Sequence, residues 1–231
     1  MARMVAEMLP GTPVEAGFLE VIGPRIGDAL GRLADRGCSE VVVAPLLLFT
    51  AGHARRDVPE AVREGAARAR LAVRQADALG CHPAVVELSR SRRHQAVASL
   101  PPLPAAATAT VMVGRGASDP SAPAQLAEFA AAAGESAVGR LHLGFVAAAR
   151  PTLAEALAAA AADAGSVRRV IVQPHLLFRG HVEEQVTAAV AEARRRHPAV
   201  EWVQAGRLGA DPLVARALVD RAASAVAVDW S

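Results

Sequence analysis

An α/β protein of two tandem domains, each a doubly wound parallel sheet, is what the sequence predicts. Three observations carry that expectation: an internal repeat, a regular alternation of β-branched runs with alanine-rich stretches, and apolar runs too continuous for half-exposed strands. Length allows it, since 231 residues exceed one average domain and fit two of about 110.

The repeat comes first. The stretch VEAGFLEVIGPRIGDALGRLADRGCSEVVVAPLLLFTAGH, from Val14, returns from Leu141 as LHLGFVAAARPTLAEALAAAAADAGSVRRVIVQPHLLFRGH. Gly17-Phe18, Pro24 and Ala29-Leu30 recur as Gly144-Phe145, Pro151 and Ala156-Leu157, all 127 residues on. Pro45, Phe49, Leu79-Gly80 and Pro83 recur 129 residues on, as Pro174, Phe178, Leu208-Gly209 and Pro212. Order and spacing persist over about seventy residues, more than two alanine-rich stretches would share by chance.

Within each repeat the elements follow in turn. Residues 14–19, 39–48 and 73–79 read as strands of the first half; 109–113, 141–146, 167–177 and 200–204 read as strands of the second. VVVAPLLL and VIVQPHLL have no polar alternation, as expected of parallel strands covered on both faces. The segments between them are helical. Pro151 suits a first helical turn, where its missing N–H costs nothing, and Gly165 suits the end of that helix. Strand–helix–strand alternation implies right-handed crossovers and helices on both sheet faces. The proline-rich residues 99–107 form the expected linker, dividing a domain of residues 1–98 from one of residues 108–231.

Composition narrows the class. Apolar residues at 52% and charged ones at 21% exclude a disordered chain. No apolar run reaches the roughly 20 residues of a membrane span, and no secretory leader is evident, so no membrane partner is expected. Two cysteines, Cys38 and Cys81, are too few for a disulfide framework and suit a reducing cytoplasm. All 25 basic residues are arginines, but the net charge is only +2. Aromatics at 3%, with no tyrosine, argue against base-stacking modules, so no nucleic acid partner is expected.

Ligands of open α/β sheets bind at the carboxyl ends of the strands. Glu20, after GFL, and His53, in the TAGH turn, fall at that edge in the first half. A carboxylate and an imidazole there suit a borderline divalent metal, or a base with a partner; Glu20 as a helix cap and His53 as an ordinary loop residue remain the alternative. Arg55 and Arg56 follow His53, and their bidentate forks suit a carboxylated ligand. Arg90, Arg92 and Arg93 form a second cluster, while Arg63, Arg68, Arg70 and Arg74 read as solvated faces. Residues 114–120, GRGASDP, form a weak candidate for a phosphate-cradling turn. Of the other histidines, His142 lies within a strand and reads as structural, His82 and His94 lie in helical surroundings, and His197 precedes a proline at a helix end. His175 and His181 belong to the second copy of the His53 region.

GFLE followed by VVVAPLLLFTAGHARRDVPEAV closely resembles the CbiX/SirB-type sirohydrochlorin chelatases. VMVGRGASDPSA looks like that family's opening motif, and VIVQPHLLFRGH like its second. The resemblance implies two tandem chelatase-like, flavodoxin-like domains that insert Co²⁺ or Fe²⁺ into a ring bearing eight carboxylates. It implies neither ATP nor a permanently bound cofactor; the metal and a sirohydrochlorin-like tetrapyrrole are substrates, and the chain is a monomer or a homodimer. Carried over, His53 is the metal-binding, proton-accepting residue and Glu20 its acidic assistant, so both are catalytic and metal-binding; Arg55 and Arg56 would hold substrate carboxylates. The family's G-H-G-S histidine falls at Arg115 in the second half, the Glu20 counterpart is Ala147, and only His181 lies near the His53 position. The second half therefore reads as a degenerate copy with a scaffolding or lid role.

One asymmetry bears on activity. The strand–turn–helix TATVMVGRGASDPSAPAQLAEF opens the second half and has no first-half counterpart. The first repeat is thus expected to lack about twenty residues, one strand included, relative to its copy. A start site lying further upstream, a true truncation, or completion by another polypeptide would each account for it. The expected function is ATP-independent metal insertion into sirohydrochlorin, for cobalamin or sirohaem synthesis. A catalytically inactive carrier or regulator, binding metal or tetrapyrrole, is the alternative.

Overall fold

The computed structural model describes residues 1–20, 22–50, 56–134, 140–162 and 166–227. The chain folds into two compact units, one of Met1–Ala84 with Asp211–Ser231 and a second of Val85–Ala210.

The second unit holds strands β3 (Thr108–Gly114), β4 (Arg140–Phe145), β5 (Arg169–Pro174) and β6 (Glu201–Gln204), together with helices α4 (Pro83–Val97), α5 (Ser121–Ala133), α6 (Leu153–Ala162) and α7 (His181–Arg196). Its sheet has the order β4-β3-β5-β6, all parallel. Every residue of β3 and β5 is buried, as expected of the VIVQPHLL run that holds β5, whereas the VVV run at Glu40–Val43 is exposed at its start and only half-buried beyond. Ala109, Val111, Val113, Val170 and Val172 pack on one face against α6 and α7. The other face is covered by α4 and α5: Gln173 on β5 bonds Ser89 of α4, and Phe129 of α5 lies against His175 just past β5. Helices on both faces make this sheet doubly wound, as the alternation predicts.

Repeated sequence letters have concrete packing reasons. A Cβ at Gly144 would stand 2.9 Å from the Ala156 Cβ, and one at Gly17 would stand 2.9 Å from the Ile26 Cα. In both halves a helix crosses so close to the preceding extended segment that only glycine fits. Helix α6 starts at Leu153, two residues past Pro151, behind a capping box in which Thr152 N–H donates to Glu155 and Glu155 N–H donates to the Thr152 hydroxyl. Gly165 lies outside the described residues.

The first unit contains α1 (Ala2–Met8), α2 (Ile26–Asp35), β1 (Glu40–Val43), α3 (Asp57–Ala69), β2 (Ala72–Gln75) and α8 (Pro212–Ala227). Its sheet has two described strands, β1 and β2, paired in parallel. The expected strand at 14–19 does not form: that stretch is extended, with one isolated parallel bridge between Phe18 and Arg25. Its copy makes the matching bridge between Phe145 and Thr152, yet is a strand because β3 lies beside it. Among the described residues nothing pairs with 14–19 in that way, and a strand is defined by its neighbour's hydrogen bonds.

The compact units also differ from the two repeats, bounded in the sequence at 1–98 and 108–231. Helix α4 closes the first repeat but packs with β3–β6, and α8 closes the second repeat but packs with β1 and β2. Matching bonds hold the two helices. Arg92 on α4 donates to the Leu208 carbonyl and Arg221 on α8 to the Leu79 carbonyl, both at 3.0 Å. The expected linker at 99–107 is held within the second unit, where buried Arg169 donates to the Pro101 carbonyl and pairs with Glu201.

Candidate functional site

Geometry at the carboxyl rim is clearest in the second unit. The loops leaving β3 and β4 lie side by side: Val146 N–H donates to the Gly114 carbonyl at 3.1 Å and Ala147 N–H to the Arg115 carbonyl at 2.9 Å. His175 N–H, just past β5, donates to the Val113 carbonyl at 2.8 Å. Three neighbouring strands thus deliver Arg115, Ala147 and His175 to one edge. The two histidines of this copy part company there. His175 is buried against Phe129, and desolvation pushes its imidazole down to about 3. His181 opens α7, exposed, 3.8 Å from Glu184.

The GRGASDP turn is not an anion cradle. The Asp119 carboxylate accepts from the backbone N–H and the hydroxyl of Ser121, at 2.9 and 2.7 Å, where α5 begins. A negative side chain occupies the position a phosphate would need. Gly116 has a different task, set by its φ of +84° and its contact with the β4 loop.

In the first unit, Glu20 is exposed in the short loop between the bridged residues Phe18 and Arg25. The neck of that loop is closed by Phe18 N–H to the Pro24 carbonyl at 2.8 Å and Ile26 N–H to the Phe18 carbonyl at 3.2 Å. Inside it, Ile22 N–H donates to the Glu20 carbonyl at 2.8 Å, and the Arg25 guanidinium donates to the Leu19 carbonyl at 2.7 Å. Arg25 was not singled out by its sequence context; the available signal is that its copy, Thr152, is not basic. Arg56 is exposed directly before α3. His53 and Arg55 lie outside the described residues, so only Glu20 and Arg56 of the four predicted site residues are placed. Among the described residues no group of three His, Cys, Asp or Glu side chains could hold a metal, and no helix is long and apolar enough to cross a membrane.

The second arginine cluster proves structural. Arg93 is buried on α4 and donates to the Ala133 carbonyl at 2.6 Å, Arg90 donates to the Ala132 carbonyl, and Arg92 to the Arg207 and Leu208 carbonyls. These forks satisfy the orphan carbonyls at the end of α5 and of the loop after β6. Arg74, expected on a solvated face, lies on β2 and donates to the Ala225 carbonyl of α8. His82 sits before α4 with its pKa lowered, first by burial and then by Arg221, against the opposing pull of Asp220.

A repeated parallel α/β unit, with Glu20 in the loop of one copy and Ala147 at the matching position of the other, defines the class of protein. The CbiX family model matches residues 1–96 and 109–225, and the chain belongs to that family. It is 26% identical over 211 residues to a sirohydrochlorin cobaltochelatase of Priestia megaterium, covering 90% of this chain and 68% of that protein. A sirohydrochlorin ferrochelatase of the same organism is 29% identical over 174 residues, covering 74% of this chain and 63% of that protein. The chain therefore spans about two thirds of the length of these curated relatives. SirB from Bacillus subtilis, solved with Fe³⁺, superposes with a TM-score of 0.84 at 26% identity, over 98% of this chain and 88% of that one.

Proposed function

We propose that the chain is a sirohydrochlorin chelatase, an ATP-independent lyase that exchanges two pyrrole N–H protons of the ring for one Co²⁺ or Fe²⁺. The observation that carries this is the CbiX match across both repeats, with relatives named for each of the two metals. In this reading His53 holds the metal and takes up a ring proton, because neutral imidazole can do either at ordinary pH. Glu20, at a rim loop, orients that imidazole or relays its proton onward. Arg56, exposed before α3, and Arg55 clamp the carboxylate arms and fix the ring plane over the metal. Nitrogen and oxygen donors serve cobalt and iron alike, so metal choice follows supply and geometry. The second unit, with Arg115 and Ala147 at the matching rim positions, acts as scaffold or lid. Two cysteines, Cys38 and Cys81, are too few for a disulfide framework and fit a reducing cytoplasm.

A second reading, an inactive binder of metal or tetrapyrrole, is favoured by one observation: the first unit's sheet has two described strands where the second has four. One assay separates the two. Following sirohydrochlorin absorbance with Co²⁺ and with Fe²⁺, the enzyme reading expects metal-dependent turnover that His53→Ala abolishes while the protein stays folded. Full turnover by His53→Ala would remove the assignment of that residue. Ligand binding without turnover by the unaltered chain would select the carrier.

A further inference from the structure

The geometry points to Arg25 as a positioning residue that holds the Glu20 loop in the conformation the metal site needs. The inference rests on the chelatase reading for what Glu20 does, and on two hydrogen bonds for what Arg25 does. Arg25 is anchored at its own backbone, where its N–H donates to the Asp28 carboxylate at 2.9 Å. From that fixed point its guanidinium reaches back six residues to the Leu19 carbonyl at 2.7 Å. This carbonyl belongs to the peptide group that joins Leu19 to Glu20, so the bond sets the plane from which the Glu20 side chain departs.

The second unit supplies an internal control. It has the same loop neck, with Phe145 N–H donating to the Pro151 carbonyl at 3.0 Å and the parallel bridge to Thr152. Neck and bridge are therefore what the fold itself requires. Thr152 stands in place of Arg25 and spends its hydroxyl on capping α6, while Ala147 stands in place of Glu20. Among the described residues the guanidinium tether occurs in the copy whose loop carries a carboxylate and not in the other, where the loop's Arg150 pairs with Glu155 instead. A bond needed merely to close the loop would be needed in both.

Arg25 is exposed, so its truncation removes the tether without opening a core. Residues that orient a ligand typically matter by about 10–100-fold in affinity or activity. The test is a double-mutant cycle on the full chain with Glu20→Ala, Arg25→Ala and the pair, plus Arg25→Lys. Two readouts are taken: Co²⁺ affinity by calorimetry, and kcat/KM for Co²⁺ with sirohydrochlorin. Arg25→Ala is expected to weaken both roughly tenfold, with the KM for sirohydrochlorin unchanged. Arg25→Lys, which keeps a donor of similar reach, is expected to recover most of the loss. In the Glu20→Ala background, Arg25→Ala is expected to change nothing further. An equal loss in both backgrounds, a raised sirohydrochlorin KM, or no loss at all would overturn the assignment. Co²⁺ binding without insertion by the unaltered chain would defeat the chelatase reading and leave the Arg25 cycle readable from affinity. Absence of both would overturn both, and a silent Glu20→Ala would overturn the positioning role.

Discussion

Gly116 shows how much one residue can decide. At φ +84° its would-be Cβ lies 1.7 Å from the Ala147 carbonyl oxygen, so strain and a backbone clash oppose any side chain. Gly116→Ala is expected to cost the second unit more than the 1–3 kcal/mol typical of such strain alone; urea unfolding would measure it, and an unchanged midpoint would refute it. His175 makes a pH prediction. Its folded pKa of about 3 lies below the roughly 6.5 of an unfolded histidine, so the unfolded chain binds the proton first. Its contribution is complete above about pH 6.5 and falls as pH drops toward 3, by up to about 1.4 kcal/mol per pH unit. Between pH 7.5 and 5, wild type should lose more stability than His175→Leu, which copies Leu46 of the first repeat; equal losses would count against burial as the cause. No periodicity separates buried His175 from exposed His181. Strand end and helix start decide that difference.

At the scale of elements, the two closing helices use matching buried positions with unlike chemistry. On α8 these include Val214, Ala215, Ala217 and Leu218; on α4 they include Val85, Val86, Leu88 and Ser89, with Arg93 one turn further on. The second unit matches Ser89 and Arg93 with Gln173, whose amide donates to Ser89 and accepts from Arg93. The first repeat carries Ala44 in place of Gln173. Packed on the first sheet, α4 would bury a hydroxyl and a guanidinium opposite a methyl group, a cost that selects against the wrong pairing. Gln173→Ala is expected to destabilise by about 1–3 kcal/mol, and Ser89→Leu added to it to recover part of that loss, since the two changes install the residues found at the matching repeat positions, Ala44 and Leu218. Strictly additive denaturation midpoints would show that the network does not couple the helix to its sheet. The central strands β3 and β5 were legible in the sequence because both their faces are covered. The repeat showed that the first half lacks the counterpart of β3, yet 14–19 was still read as a strand, because its own composition is that of one and pairing is not a local property.

For the molecule as a whole, repeats and compact units are two different divisions of one chain. A fragment of residues 85–210 carries α4 with the four-stranded sheet and is expected to melt cooperatively. A fragment of residues 108–231 keeps α8 but leaves one face of that sheet without α4. It should bind a hydrophobic dye and melt broadly; equally sharp transitions in calorimetry would contradict the packing. Of the site, Glu20 lies in a loop although the strand expected to end before it does not form, and Arg56 lies directly before α3. The tether from Arg25 was not legible, since a guanidinium reaching back to a carbonyl leaves no pattern in the sequence. By itself the sequence determined the alternation of strand and helix, the duplication and the family, because periodicity and motif spacing are written locally. Only the tertiary structure decided which helix covers which sheet, which arginines serve carbonyls rather than a ligand, and that 14–19 stays outside a ladder. Each of those depends on partners brought together by folding, as Ser89 and Gln173 are across 84 residues.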